Sequence, residues 1–157
     1  MGLFNQTKIL AVADGSAIPL TEVEDEAFAS GMLGEGFAVK PTSGTIYSPV
    51  DGKIEGITET KHAYSIHSDD GLDVLVHIGV DTVKLGGMGF TPAVNEGDTV
   101  KAGDVIAMAD LGAIRAAGYD TVTPVLISNN DKIPGEKMKM KYGQVRGGVS
   151  AVMSWRN

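Results

Sequence analysis

Glycine constrains this chain more than any other residue type. Twenty-one of its 157 residues are glycine, nearly twice the usual ~7%, with no collagen-like period. Between residues 37 and about 128 the glycines join Pro, Ser and Asp in a regular punctuation: Pro41, Ser43-Gly44, Asp51-Gly52, Asp69-Asp70-Gly71, Gly86-Gly87, Glu96-Gly97-Asp98 and Gly103-Asp104. A turn every 8–15 residues leaves room for short strands and not for helical periods, so the pattern predicts an all-β sandwich or barrel. Residues 7–13 (TKILAVA) read as a first strand, closed by Asp14-Gly15-Ser16. Two short helical turns fit: one within 22–30, with Asp25 as its cap, and one at 111–117, capped by Asp110 and stopped by Gly118. No linker, repeat or low-complexity tract interrupts the chain, which reads as one domain over 1–157.

Charge and cysteine content narrow the function classes. Thirteen basic against 20 acidic residues give a net charge of −7, which argues against a nucleic-acid binder and favours a basic protein partner. With no cysteine, disulfides, thiolate nucleophiles, thiolate zinc sites and iron–sulfur clusters are excluded. No run approaches the ~18 apolar residues of a membrane span, and the start lacks an export signal. Gln6 stands where a myristoylation signal wants Ser or Thr. A cytoplasmic domain is the expectation.

Only three histidines remain to carry acid–base or nucleophilic chemistry. In the strand-like run Val74 to Val80, alternation puts Val76, Ile78 and Val80 on a core face, and Leu75, His77 and Gly79 on the other. His62 and His67 are an odd number of residues apart, so at most one of them can face His77 without a bulge. Thr60, two before His62, shares its face and can hydrogen-bond its ring. A structural role for such histidines stands beside a functional one. Zinc hydrolysis lacks an HxH or HExxH spacing, and acid–base catalysis lacks any sign of a deep pocket. Phosphoryl relay requires only a neutral ring nitrogen as nucleophile, a second donor and open access for a partner. Neither a metal nor a cofactor is expected.

The stretches DGSAIPLTEVEDEAFASGMLGEGFAVKP (14–41), SPVDGKI (48–54), TETKHAYSIHSDDG (58–71), VLVHIGVDTVKLGGMGF (74–90), EGDTVKAGDVI (96–106) and TPVLISN (123–129) resemble a known family. That family is the glucose-type enzyme IIA domain of the bacterial phosphoenolpyruvate-dependent sugar phosphotransferase system. The resemblance implies a β-sandwich/barrel hybrid, a duplicated hybrid motif. It implies that His77, in VHIGVDTV, is the phosphorylated histidine, with His62, in TETKHA, as its partner imidazole and Thr60 as that ring's hydrogen-bond partner. Nδ1 of His77 is expected to donate to a backbone carbonyl, Gly79 being the residue in place, which leaves the Nε2 lone pair free. His67 matches no family site and reads as a surface residue.

The same resemblance implies partners. The donor is HPr, a basic histidine phosphocarrier, and the acceptor is the cysteine of a IIB domain on a separate chain or another part of a longer one. Asp25 and Asp81 match acids flanking the site, although Asp81 also reads as a turn residue. Phe28, Met32, Leu33, Leu75 and Val83 match an apolar ring around it, with ordinary core as the alternative for Phe28 and Leu33. The membrane-touching tail of some members is not carried over, because the first strand begins almost at once. Residues 131–157 match only loosely. GDTVKAGDVIAM also resembles a biotinyl or lipoyl carrier strand pair, but Lys139 arrives over thirty residues after Ile106 instead of on the next hairpin.

Overall fold

The computed structural model describes residues 6–134 and 137–156. Within them the chain is all-β, with short strands between the turns that the glycine pattern marks. The largest sheet runs β13 (Gly143–Val145), β2 (Gly15–Pro19), β3 (Glu35–Pro41), β11 (Thr123–Ile127), β7 (Asp73–His77), β6 (Ala63–Ser68), β5 (Gly52–Ile57) and β9 (Thr99–Val100), in that spatial order. A three-stranded sheet joins β1 (Gln6–Leu10), β14 (Ala151–Arg156) and β12 (Lys139–Met140). A second joins β4 (Thr45–Tyr47), β10 (Val105–Ala109) and β8 (Phe90–Pro92). Their ladders are antiparallel.

All three sheets supply one core. Ile9, Ile46, Ile54, Tyr64, Val76, Ile106, Val125 and Trp155 meet in a single buried cluster. Such closure around a shared interior is the sandwich/barrel hybrid, and it lets sheets with half-apolar faces exclude water without helical layers. The first strand is shorter than the 7–13 run suggested. A register shift follows Ile9, and Ala11 and Val12 leave the ladder to bond Ser150 and Tyr47 across loops, while staying buried.

The two helices fall where their caps place them. In α1 (Glu26–Ala29) the Asp25 carboxylate accepts from the Ala27 N–H at 2.9 Å. In α2 (Leu111–Ala116) the Asp110 carboxylate accepts from Ala113 at 3.0 Å, and Gly118 follows with φ +92°. Helix α1 lies on the outer face of the large sheet. There Phe28, with Leu20 and Val23, packs on Ala38, Val80, Val122 and Leu126, with Ile18 and Leu75 at the edge. Burying a Phe side chain contributes about 1.5–3 kcal/mol, enough to anchor so short a helix. β11 is therefore covered on both faces, and all five of its residues are buried. One expectation fails here: Val80 does not share the core face of Val76 and Ile78, but joins the α1 cluster. β7 ends at His77, and Gly79 turns at φ +83°, which breaks the two-residue alternation.

Candidate functional site

The β6–β7 hairpin sets the two imidazoles side by side. Its register pairs Ala63 with His77, so His62 stands one position beyond the ladder, diagonal to His77, and the Ile78 N–H donates to the His62 carbonyl at 2.7 Å. The ring centroids are 4.7 Å apart and nearly perpendicular, at 80°. His67 shares the His77 face through the ladder but lies four residues along the hairpin, opposite Asp73. Its Nδ1–H donates to Asp73 at 2.7 Å across the same hairpin, on the exposed surface.

Each ring of the pair is held through Nδ1. The His77 Nδ1–H donates to the Gly79 carbonyl at 2.7 Å, which fixes the proton there and leaves Nε2 with a lone pair. His62 Nδ1 shares a 2.7 Å hydrogen bond with Thr60 Oγ1, and Thr58 Oγ1 lies 3.4 Å from the same nitrogen. Thr58 also accepts from the Ala63 N–H at 3.2 Å. The turn that presents these hydroxyls passes through Lys61 at φ +61°, a left-handed conformation uncommon for a non-glycine residue. Each ring is left with Nε2 as the nitrogen outside these contacts.

Burial and proximity keep both rings neutral near pH 7. The His62 side chain is almost wholly buried, and its pKa falls from 6.5 to about 4, chiefly through loss of hydration and secondarily through the neighbouring His77. Burial also lowers the His77 pKa, opposed by the Gly79 hydrogen bond and by the fields of Asp25 and Asp81. Asp81 also occupies a turn position, at φ +59°.

The apolar ring divides in two. Met32, Leu33 and Val83 are exposed. Phe28 is not; it is 6% exposed and sets its ring edge-on to His77, with centroids 5.0 Å apart. Leu75 is partly buried beside it. Phe28 and Leu75 thus lie beneath His77, because α1 covers this face of the sheet.

Two threonines complete the arrangement beyond those anticipated. Thr58 shares the even spacing that singled out Thr60, but residues 58–62 form the turn between β5 and β6, so the turn and not strand alternation brings both hydroxyls to His62. Thr82 gives no such signal, since it reads as a turn residue. It is fully buried, and its hydroxyl donates to the Ile78 carbonyl at 2.6 Å. Its methyl group packs where a Gly79 side chain would begin. The turn bearing the Gly79 carbonyl is thus clamped from within, and Val80 N–H to the Asp120 carbonyl (3.1 Å) holds its far side. Among the described residues no three His, Cys, Asp or Glu side chains converge as metal ligands, and no helix is long and apolar enough to cross a membrane. Lys139 lies in β12, paired with β14 rather than at a hairpin tip.

Comparison with known proteins bears on the same residues. The family described as "phosphoenolpyruvate-dependent sugar phosphotransferase system, EIIA 1" matches residues 7–133, which leaves outside the match most of the tail that resembled the family loosely. The glucose-specific EIIA component of Oceanobacillus iheyensis is 41% identical over 145 residues, 92% of this chain and 87% of that protein. The glucose-specific EIICBA component of Streptococcus pneumoniae is 50% identical over 132 residues, 84% of this chain but 18% of the relative. The β-glucoside-specific EIIBCA component of Bacillus subtilis is likewise matched over only 22% of its length, so the chain spans about a fifth of these longer relatives. Glucose permease IIA from Mycoplasma capricolum superposes with a TM-score of 0.88 at 37% identity, over 97% of both chains. Sequence and fold therefore agree over nearly the whole chain, which belongs to the EIIA 1 family of the phosphoenolpyruvate-dependent sugar phosphotransferase system.

Proposed function

We propose that the whole chain works as one cytoplasmic unit that accepts a phosphoryl group from phospho-HPr on His77 Nε2 and hands it to the cysteine of a IIB domain, driving sugar uptake and phosphorylation. The carrying observation is the pair of rings 4.7 Å apart, each held at Nδ1. In the loading step the Nε2 lone pair of His77 attacks phosphorus. The P–N bond to the donor histidine breaks, and its electron pair returns to that ring. No proton need move, because Nδ1 already carries it. Positive charge then grows on the His77 ring and is met by the Gly79 carbonyl and by Asp25 and Asp81. His62, with Nδ1 engaged by Thr60, offers Nε2–H to a phosphoryl oxygen. Onward transfer reverses the geometry: cysteine sulfur attacks and the P–Nε2 bond breaks. The acceptor lies outside this cysteine-free sequence, consistent with relatives in which A, B and C components share one chain.

Met32, Leu33 and Val83 supply exposed apolar contact around the pair, and Asp25 and Asp81 supply the acidic rim that a basic donor needs. Phe28 and Leu75 support the site from beneath. Incubation with phosphoenolpyruvate, enzyme I and HPr, followed by phosphosite mapping, tests the reading. Acid-labile phosphate is expected on His77 alone and absent from a folded His77→Ala variant. A His62→Gln variant should still load but pass phosphate on far more slowly. Phosphate on His67, or retained by His77→Ala, overturns the assignment.

A further inference from the structure

The sheet β1–β14–β12 carries a second polar cluster, remote in sequence from the histidine hairpin. Lys137, Lys139, Arg156, Ser154, Gln6 and Trp155 line a cleft of about 440 Å³, within the range of small-molecule sites. The ladder explains the convergence. Ser154 pairs with Lys8 on one side and Lys139 on the other, and Arg156 pairs with Gln6. Adjacent strands lie ~4.8 Å apart, so Lys139, Ser154, Arg156 and Gln6 crowd one end of the sheet.

Among the described residues the lining holds donors and no carboxylate. None of β1, β12 and β14 contains Asp or Glu, and among the described residues no carboxylate forms an ion pair with Lys137, Lys139 or Arg156. Lys8 lines a neighbouring hollow with Asp51, Asp69 and Asp70, and Gln6 is the wall the two share, so on its own side of Gln6 the charged side chains described in the cleft are all cationic. This is unusual in so acidic a chain, in which 13 basic residues stand against 20 acidic ones. An Arg fork, two ammonium groups, a hydroxyl and an amide are the donor set that a phosphate accepts from.

Two sources of phosphate could meet such donors, a lipid surface or a small soluble ligand. Size decides between them. A membrane extends far beyond the screening length of ~8 Å and would meet the acidic remainder of the surface, whereas a small anion meets only the cleft. We propose that this cleft binds a small phosphate-bearing anion of sugar-phosphate size. The site is independent of the histidine pair.

Amide NMR titration of the full chain tests it, with glucose 6-phosphate and inorganic phosphate as probes, glucose as the neutral control, and vesicles containing phosphatidylglycerol as the lipid arm. Glucose 6-phosphate should shift Lys139, Ser154 and Arg156 saturably, and inorganic phosphate should compete at the same residues. Loss of one charge-assisted partner should weaken binding about tenfold in Arg156→Gln and in Lys139→Gln, with loading of His77 unchanged in both. These side chains are solvent-facing, so the variants should fold. The proposal fails if no shift saturates by ~20 mM, if glucose shifts the same residues, if both variants bind as the parent does, or if only the vesicles bind.

Discussion

The Gly79 carbonyl that fixes the His77 tautomer belongs to the backbone, so no side-chain substitution removes it. Thr82 is the available handle. Its hydroxyl donates to the Ile78 carbonyl at 2.6 Å in a site with no exposed surface. Thr82→Val keeps the shape and leaves that carbonyl without its donor, at a cost of about 1–3 kcal/mol. For a domain of this size that lowers the melting temperature by roughly 3–10 °C. The functional loss has a separate ceiling. A hydrogen bond to a ring gaining charge contributes about 1.5–3 kcal/mol, so full loss of the His77–Gly79 bond would slow loading about 10- to 100-fold. A loosened turn should sit near the lower figure. The assay pairs stopped-flow loading from phospho-HPr with ¹⁵N NMR of the His77 ring, which reports the share of Nδ1–H tautomer. Slower loading with a mixed tautomer is expected, and Thr82→Ser should restore both. If Thr82→Val melts earlier but keeps the parent's tautomer and loading rate, Thr82 supports only the fold and the clamp argument is wrong.

Acid should act through His62. Its pKa lies at about 4 in the fold against 6.5 ordinarily, so stability is full above pH 6.5 and falls as pH drops toward 4. At ~1.36 kcal/mol per pH unit the loss reaches about 3 kcal/mol. Chemical denaturation of His62→Gln across that window should show a shallower slope, and an unchanged slope refutes the assignment. Tyr64 is fully buried with its hydroxyl unpartnered among the described residues, and burial raises its pKa to about 12. Tyr64→Phe should therefore melt no lower than the parent, and a drop of several degrees would reveal a partner for that hydroxyl. Replacing Asp25 and Asp81 together with Asn should slow association with HPr and flatten its salt dependence, since exposed charges are screened beyond ~8 Å. An unchanged salt slope would place the acidic rim elsewhere.

Local chemistry was legible wherever it acts over a few residues. The Asp25 and Asp110 caps mark both helices, because an N-cap carboxylate and the N–H that donates to it lie within three positions. Alternation along a strand said only that His62 and His67 could not both face His77. The ladder gives His67 the His77 face, four residues along, and it is the turn before β6, through Lys61 at φ +61°, that brings His62 to His77. The same rule misplaced Val80, where one glycine at φ +83° ends the alternation. It also carried the first strand three residues too far, since a buried apolar run looks the same whether it pairs in a ladder or crosses behind one.

What only the tertiary structure decided is which faces are covered. Phe28 reads equally well as rim or core, and its place beneath His77 depends on α1 closing over β11 and β7, a contact between segments distant in the chain. Thr82 was invisible for a related reason: its importance lies in the burial of the carbonyl it satisfies, which no spacing encodes. The cationic cleft likewise assembles Gln6 with Lys139 and Arg156 from opposite ends of the chain, through strand register alone. The sequence by itself determined the turns and the caps, since each is set by the backbone geometry of near neighbours. Burial and long-range register came from the closed sheets, because they depend on the summed packing of residues that the chain keeps far apart.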